Sequence, residues 1–148
     1  MGRHAEHLNR LFKALGCLDL ARVAELCAED CVYEDVPYPE ATVIGPEAIR
    51  AKLAFGFAVL ERLTTEIHEL NEDQDTVLVE RTEVWHHATG ERAKLRVAAV
   101  FKFRDARLTL WRDYWDAKTL LDQQPATWLP EIPRLVPTRS LPAREPTG

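Results

Sequence analysis

The sequence lacks the cysteine pairs of a disulfide framework and the ligand spacing of a zinc site. Its 148 residues include three cysteines, Cys17, Cys27 and Cys31. Their number is odd, and no further cysteine or histidine completes a metal-binding set after Cys31. We therefore predict free, buried thiols in a reducing cytoplasm.

The sequence also lacks long apolar runs and an excess of basic residues. No run approaches the length of a transmembrane helix, and the N-terminus has no apolar stretch of the signal-peptide type. The formal net charge is −5 and the pI is about 5.5, which disfavours nucleic acid or an anionic membrane as a partner. We predict a cytoplasmic protein.

Motifs of several enzyme classes are absent as well. There is no glycine-rich phosphate loop, no Gly-x-Ser-x-Gly motif and no paired cysteine and histidine nucleophile. His86 and His87 are adjacent, so in a strand they point to opposite faces and are not expected to share a metal ion. These absences fit an acid–base enzyme that uses neither a metal nor a cofactor.

Composition favours one folded domain followed by a proline-rich tail. Apolar residues make up 46% and charged residues 29%, as in an ordinary globular protein. Six of the nine prolines lie between Pro125 and Pro146. We predict a single domain over residues 1–122 and an extended tail over residues 123–148, with Trp128 as an anchor near its start.

Hydrophobic periodicity predicts an α+β fold. Two N-terminal helices are expected within residues 7–26, with Gly16 between them and Asp19 as the cap of the second. A third helix, which would cover the sheet, begins at Pro46 and extends to Leu63. Alternation predicts five strands, at residues 31–36, 64–70, 76–87, 91–104 and 107–115. The order is α-α-β-α-β-β-β-β, a run of antiparallel hairpins with helices on one side.

Charged side chains occur on strand faces that are otherwise apolar. Alternation puts Arg81 and Glu83 on one side of their strand. It also puts Asp113 on the same side as Trp111 and Trp115. Burying charged groups is unfavourable unless they pair or take part in chemistry. These three charged residues are therefore the first candidates for a functional site.

Four segments carry a resemblance to a known family. They are residues 28–33 (AEDCVY), 36–37 (VP), 80–84 (ERTEV) and 111–116 (WRDYWD). Together they resemble the limonene-1,2-epoxide hydrolases, which share a cone-shaped fold with nuclear transport factor 2, ketosteroid isomerase and SnoaL-type polyketide cyclases. The resemblance covers roughly residues 8 to 121 and implies a curved, mixed or antiparallel sheet wrapped around the N-terminal helices and the covering helix.

The resemblance implies hydrolysis of an epoxide to a vicinal diol in one step, without a cofactor. Asp113 matches the general base, Arg81 the residue that bridges two carboxyls, and Tyr33 the phenol that holds the water. Two positions depart from the family pattern, since Glu83 stands where the acid is Asp and Asp35 where the family has Asn.

The departures leave the assignment of roles open. Glu83 keeps the carboxyl with one more methylene, whereas Asp35 replaces a donor and acceptor by an acceptor alone. Three carboxyls would then surround Arg81, and like charges this close raise at least one pKa strongly. Either Asp113 or Asp35 could be the base.

The remaining inner-face residues predict an apolar pocket for a hydrophobic epoxide or a polycyclic, polyketide-like substrate. The wall is expected to comprise Trp85, Leu95, Val97, Ala99, Phe101, Trp111 and Trp115, with Phe55, Phe57, Val59 and Leu60 on the covering helix.

Two other functions remain open. One is an isomerase or cyclase of the ketosteroid isomerase or SnoaL kind, including an epoxide-opening ether cyclase. The other is a non-catalytic ligand-binding module. The resemblance also implies a homodimer, formed through an outer sheet face that carries Arg96, Ala98, Val100, Arg112 and Tyr114.

Overall fold

The structure is a computed structural model that describes residues 2–125 and Trp128. Residues 2–125 contain four α-helices, α1 (Arg3–Gly16), α2 (Leu20–Glu25), α3 (Pro46–Gly56) and α4 (Ala117–Leu121), and a short 3-10 helix at Pro39–Ala41. The same residues contain six strands, β1 (Cys27–Asp35), β2 (Val43–Ile44), β3 (Leu60–Asp73), β4 (Thr76–His87), β5 (Arg92–Arg104) and β6 (Arg107–Tyr114). No helix in this part of the chain is both long and apolar enough to cross a membrane.

The strands form one sheet in the order β2-β1-β6-β5-β4-β3. All neighbours are antiparallel except β1 and β6, which run parallel. The parallel pair brings the first and last long strands together beside the short edge strand β2. The predicted α+β fold with a mixed, largely antiparallel sheet is confirmed.

The core lies between the inner face of the sheet and the N-terminal helices. The alternation predicted for β5 is confirmed, because its inward residues are all buried. Leu8, Leu11 and Leu15 of α1 follow one another at helical spacing and are buried in the same cluster. The predicted cap of α2 is also present, since the Asp19 side chain accepts a hydrogen bond from the Arg22 backbone N–H.

The predicted extent of the covering helix is wrong. Helix α3 ends at Gly56, and Leu60 already begins β3, where it pairs with His87 of β4. Pairing with β4 therefore overrides the helical pattern of this segment. As a consequence, Val59 and Leu60 do not lie on the covering helix.

The structure differs from the sequence analysis at three further points. Strand β1 begins at Cys27 and not at Cys31, with a bulge before Val32. Helix α4 was not predicted, and the Asp116 side chain caps it by accepting a hydrogen bond from the Thr119 backbone N–H. Cys27 and Cys31 are buried as expected, but Cys17 is exposed. Most of the predicted proline-rich tail lies outside the described residues.

Candidate active site

A cavity of about 570 Å³ lies between the inner face of the sheet and helices α3 and α4. All four tryptophans of the chain line it, together with Tyr33, Tyr38, Phe55 and Phe57. Seven of the predicted wall residues are among its lining, namely Phe55, Phe57, Trp85, Leu95, Val97, Trp111 and Trp115. The cavity is therefore mainly apolar, with many aromatic side chains, and its polar groups are few.

Four predicted wall residues do not line the cavity. Ala99 and Phe101 lie deeper on β5, and the fully buried Phe101 ring packs against Phe12 and Trp111. Val59 and Leu60 follow the end of α3 and are likewise absent from the lining. The alternation of β5 gave the correct face for Ala99 and Phe101, but it contains no information on depth.

Beneath the floor of the cavity, an arginine bridges two acids that line it. Arg81 is fully buried, and its Nη2 lies 2.8 Å from Glu83 Oε1 and 3.0 Å from Asp113 Oδ2. Its Nε donates a second hydrogen bond to Glu83 Oε1, at 3.2 Å. The structure thus brings together the three charged residues that the sequence singled out.

The sheet topology explains how this bridge forms. Glu83 follows Arg81 by two residues on β4 and so shares its face. Asp113 lies two strands away on β6, with β5 between them. On β5, the residue that pairs with Asp113 is Ala99. Its single methyl group leaves space above β5 for the long Arg81 side chain to reach Asp113.

Indole N–H groups bind the same two acids. Trp85 Nε1 donates to Glu83 Oε2, and Trp111 Nε1 donates to Asp113 Oδ1, each at 3.1 Å. In both pairs the tryptophan and the acid are two residues apart on one strand, so they share a face. Each oxygen of both carboxyls therefore accepts at least one hydrogen bond. The sequence indicated these tryptophans only as apolar wall.

Asp35 lies beside Asp113, because the two residues pair in the parallel register of β1 and β6. Asp35 Oδ1 accepts a hydrogen bond from Trp115 Nε1, and Lys52 Nζ lies near Oδ2, each at 2.9 Å. The Lys52 ammonium also lies 4.1 Å from the centre of the Tyr33 ring. The three carboxyls therefore have two neighbouring cations, Arg81 and Lys52, whereas the sequence predicted only Arg81.

Lys52 is the functional candidate that sequence reasoning missed. It lies on α3 and lines the cavity with Ala48 and Leu53. A signal for it was present in the sequence, since Lys52 follows Ala48 by four residues and Ile49 by three. It therefore falls within the apolar stripe of the helix, where a charged residue is unexpected.

Comparison with known proteins identifies the family. Residues 8–111 match the model of the SnoaL-like domain. The chain belongs to the SnoaL-like family. Among solved structures, an LEH-like epoxide hydrolase of M. tuberculosis shares 30% identity with a TM-score of 0.65, and the match covers 84% of this chain and 94% of that one.

Two putative polyketide cyclases are similar to this SnoaL-like protein in fold. One is a SnoaL-like protein of Shewanella denitrificans OS-217, with 18% identity, a TM-score of 0.75 and coverage of 83% of this chain and 97% of that one. The other is IdmH of Streptomyces antibioticus, with 19% identity, a TM-score of 0.70 and coverage of 82% and 98%. At these identities the likeness shows the fold alone.

Burial shifts the pKa values of ionisable side chains in this SnoaL-like protein. Burial is the largest cause that raises the pKa of Asp113, to about 6; Arg81 opposes the rise, while Asp35 and Glu83 add to it. Burial and the nearby carboxylates also raise the pKa of the Tyr33 phenol well above its usual range. Tyr33 therefore remains a neutral hydroxyl. Burial disfavours the charge of Arg81, but Asp113 and Glu83 outweigh it and raise its pKa.

The two adjacent histidines have separate partners. The His86 ring contacts the Thr64 hydroxyl at 3.2 Å, and the His87 ring contacts the Gln124 side chain at 2.5 Å. Across residues 2–125 and Trp128, no group of three or more histidine, cysteine or acidic side chains is placed to hold a metal ion. These histidines stay outside the candidate site.

Proposed function

We propose that this SnoaL-like protein is a cofactor-independent enzyme that opens a hydrophobic epoxide with water to give a vicinal diol. The observation that carries the proposal is the buried bridge from Arg81 to Glu83 and Asp113 at the floor of an aromatic cavity. The 30% identity to an LEH-like epoxide hydrolase supports it. A binding module needs no such cluster.

The cluster is difficult to explain by stability alone. The desolvation of buried charges offsets most of their attraction, and an apolar cluster of the same shape is often as stable. Ionisable groups with shifted pKa values in a cavity are instead typical of catalytic sites. The raised pKa of Asp113, to about 6, is such a shift.

Asp113 and Glu83 form the acid–base pair of the proposed reaction. Arg81 Nη2 contacts both, so a proton taken up near pH 6 belongs to the pair and not to one residue. The singly protonated pair contains one carboxylic acid and one carboxylate. That is the combination that epoxide opening requires.

The proposed step uses the roles that the resemblance implies. Asp113 accepts a proton from water as the water oxygen bonds to an epoxide carbon. The bond from that carbon to the epoxide oxygen breaks, and Glu83 gives its proton to the oxygen. Tyr33 and Asp35 orient the water, and Arg81 stabilises the pair throughout. The proton left on Asp113 then returns to Glu83, so the net change is the addition of one water molecule.

The cavity selects a neutral, ring-containing substrate. About 570 Å³ lies within the usual size range of small-molecule sites. With the acid pair singly protonated, Arg81 balances that pair and Lys52 balances Asp35. The described side chains of the site then carry no net charge, so apolar contact determines binding.

An epoxide-opening cyclase is the second candidate. The Asp35 carboxylate replaces the amide that the resemblance predicts at the water-binding position. A hydroxyl of the substrate could take the place of water beside this carboxylate. The fold is also shared with putative polyketide cyclases.

Isotopic labelling distinguishes the candidates. The protein is incubated with a panel of terpene and aryl epoxides in ¹⁸O-water, and the masses of the products are measured by mass spectrometry. Hydrolysis predicts a diol that contains one ¹⁸O atom, whereas cyclisation of a hydroxy-epoxide predicts an unlabelled ether. The hydrolase proposal fails if no epoxide in the panel is converted.

We also propose a cytoplasmic homodimer that associates through the outer face of the sheet. Leu78 and Tyr114 are exposed there, at 51% and 46%, which is unfavourable for an isolated sheet face. Light scattering coupled to size-exclusion chromatography tests this, and a monomeric mass would contradict it.

We further propose that the folded domain ends near residue 122, with Trp128 as an anchor because its ring packs against Trp85.

A further inference from the structure

Lys52 is the second cation of the cavity, and the proposed reaction gives it no role. Its Nζ lies 2.9 Å from Asp35 Oδ2, and the two side chains are only 16% and 15% exposed. The pair joins α3, which covers the cavity, to β1 in the sheet. At this burial the pair is only partly screened by water.

Asp35 would compete for the catalytic proton if it had no cation beside it. It occupies the register position next to Asp113, and its negative charge already raises the proton affinity of Asp113. A third buried carboxyl without a counter-charge would itself tend to bind a proton. The proton would then be divided among three groups, although the reaction needs it on the pair bridged by Arg81.

We propose that Lys52 is a positioning residue that holds Asp35 as a carboxylate anion and thereby keeps the catalytic proton on Asp113 and Glu83. The inference rests on the proposed function for its kinetic consequence, but its electrostatic content is independent of any substrate. Lys52 acts through Asp35 and not on the reacting atoms.

Other groups around Asp35 and Asp113 also influence where the proton resides. Trp115 binds the second Asp35 oxygen as a neutral donor and cannot replace the charge of Lys52. The titratable and charged groups that face Asp35 and Asp113 are Tyr33 on β1, Tyr38 before the 3-10 helix, Lys52 on α3, and Arg81 and Glu83 on β4. Among them Lys52 is the one cation beside Asp35.

The first test removes the charge and follows the carboxyls directly. Protein labelled with ¹³C at the aspartate carboxyls is titrated by NMR, and the Asp35 signal is assigned by its loss in Asp35→Asn. In Lys52→Met we expect the Asp35 titration to move up by about one pH unit or more. Lys52→Arg keeps the charge and should leave the titration near its wild-type position. Lys102→Met, an exposed change on β5, is the matched control.

The second test is a double-mutant cycle on epoxide hydrolysis. Lys52→Met diverts the proton to Asp35, and Asp35→Asn leaves the Lys52 charge unbalanced beside the pair. Each single variant should lower kcat at neutral pH by about tenfold, with KM little changed. In the Asp35→Asn background the competing carboxyl is already gone, so adding Lys52→Met should lower kcat by no more than about threefold relative to Asp35→Asn alone.

The outcomes separate this inference from the proposed function. An Asp35 titration that is unchanged in Lys52→Met overturns the inference, whether or not any epoxide is hydrolysed. A tenfold loss of kcat caused by Lys52→Met in the Asp35→Asn background also overturns it, because Lys52 would then act without Asp35. Absence of turnover in the wild type rejects the epoxide hydrolase, while the NMR titration still decides the role of Lys52.

Discussion

The two faces of the sheet carry ion pairs of equal length in opposite surroundings. On the outer face, Arg96 Nη2 lies 3.0 Å from Glu80 Oε1, with side chains that are 78% and 45% exposed. On the inner face, Arg81 Nη2 lies 3.0 Å from Asp113 Oδ2, with side chains that are 0% and 6% exposed. Glu80 and Arg81 are consecutive residues of one strand, so the pleat alone separates the two environments.

The difference shows that burial, and not contact distance, determines how strongly an ion pair affects stability and pKa values. Water and salt screen the outer pair, so it contributes little to stability. The inner pair has lost its hydration, so each member depends on the other. The same loss of water raises the pKa of Asp113 to about 6, so that Asp113 can bind and release a proton near neutral pH.

Removing the inner arginine should have the largest effect. Arg81→Met leaves Glu83 and Asp113 as neighbouring buried carboxyls without a cation. We expect a loss of about 3 to 5 kcal/mol in the free energy of unfolding and no measurable hydrolysis. Denaturant unfolding and epoxide turnover measure the two effects.

Arg96→Met is the matched variant on the outer face. It removes the same charge at the same pair distance, and both readouts should stay at the wild-type level. Equal destabilisation by the two variants would invalidate the comparison between the faces.

Replacing the proposed acid should reduce the rate strongly with little change in stability. Glu83→Gln keeps the shape and still accepts hydrogen bonds from Arg81, but it cannot give a proton to the opening oxygen. We expect kcat to fall by about a hundredfold or more. Steady-state kinetics measure the loss, and a rate within a factor of two of wild type would exclude Glu83 as the acid.

The pH dependence tests the consequence of burial. Because burial and the nearby carboxylates raise the pKa of Asp113 to about 6, the acid pair holds its proton below that pH and loses it above. Hydrolysis should therefore slow as pH rises, by about tenfold for each pH unit above the transition. A profile of kcat/KM against pH checks this. A rate that increases across the same interval would show that the fully ionised pair is the active form.

The smallest effect is expected from the loss of one indole donor. Trp85→Phe keeps an aromatic wall but removes the hydrogen bond from Nε1 to Glu83 Oε2. We expect kcat to fall by about tenfold, because a hydrogen bond to a charged group contributes roughly 1.5 to 3 kcal/mol. Tyr114→Phe, on the outer face, loses a polar group without contact to the site and should leave kcat unchanged. Equal kcat values for the two variants would show that the Trp85 hydrogen bond does not contribute to catalysis.

The sequence was sufficient to predict the parts of the fold that depend on local alternation. Strand β4 was predicted with its observed limits, and the inward face of β5 was correct along its length. Arg81, Glu83 and Asp113 could be found in the same way, because a charged residue on an apolar strand face is visible without knowledge of the partner strand.

Contacts between distant segments could not be predicted in this way. Lys52 is brought to Asp35 by the packing of α3 on the sheet, and a helical lysine is usually solvated. The indole of Trp115 reaches Asp35 across 80 residues of sequence, and nothing local indicates its partner. The end of α3 at Gly56 depends on pairing between β3 and β4, which again is a long-range interaction.

The most direct test of the buried acid pair is the turnover of Asp113→Asn in ¹⁸O-water. The amide is nearly isosteric with the carboxyl, but it cannot take a proton from the attacking water. We expect a folded protein with a melting temperature within a few degrees of wild type and no labelled diol above the buffer background. Labelled diol formed at the wild-type rate by this variant would show that the inner pair does not carry the reaction.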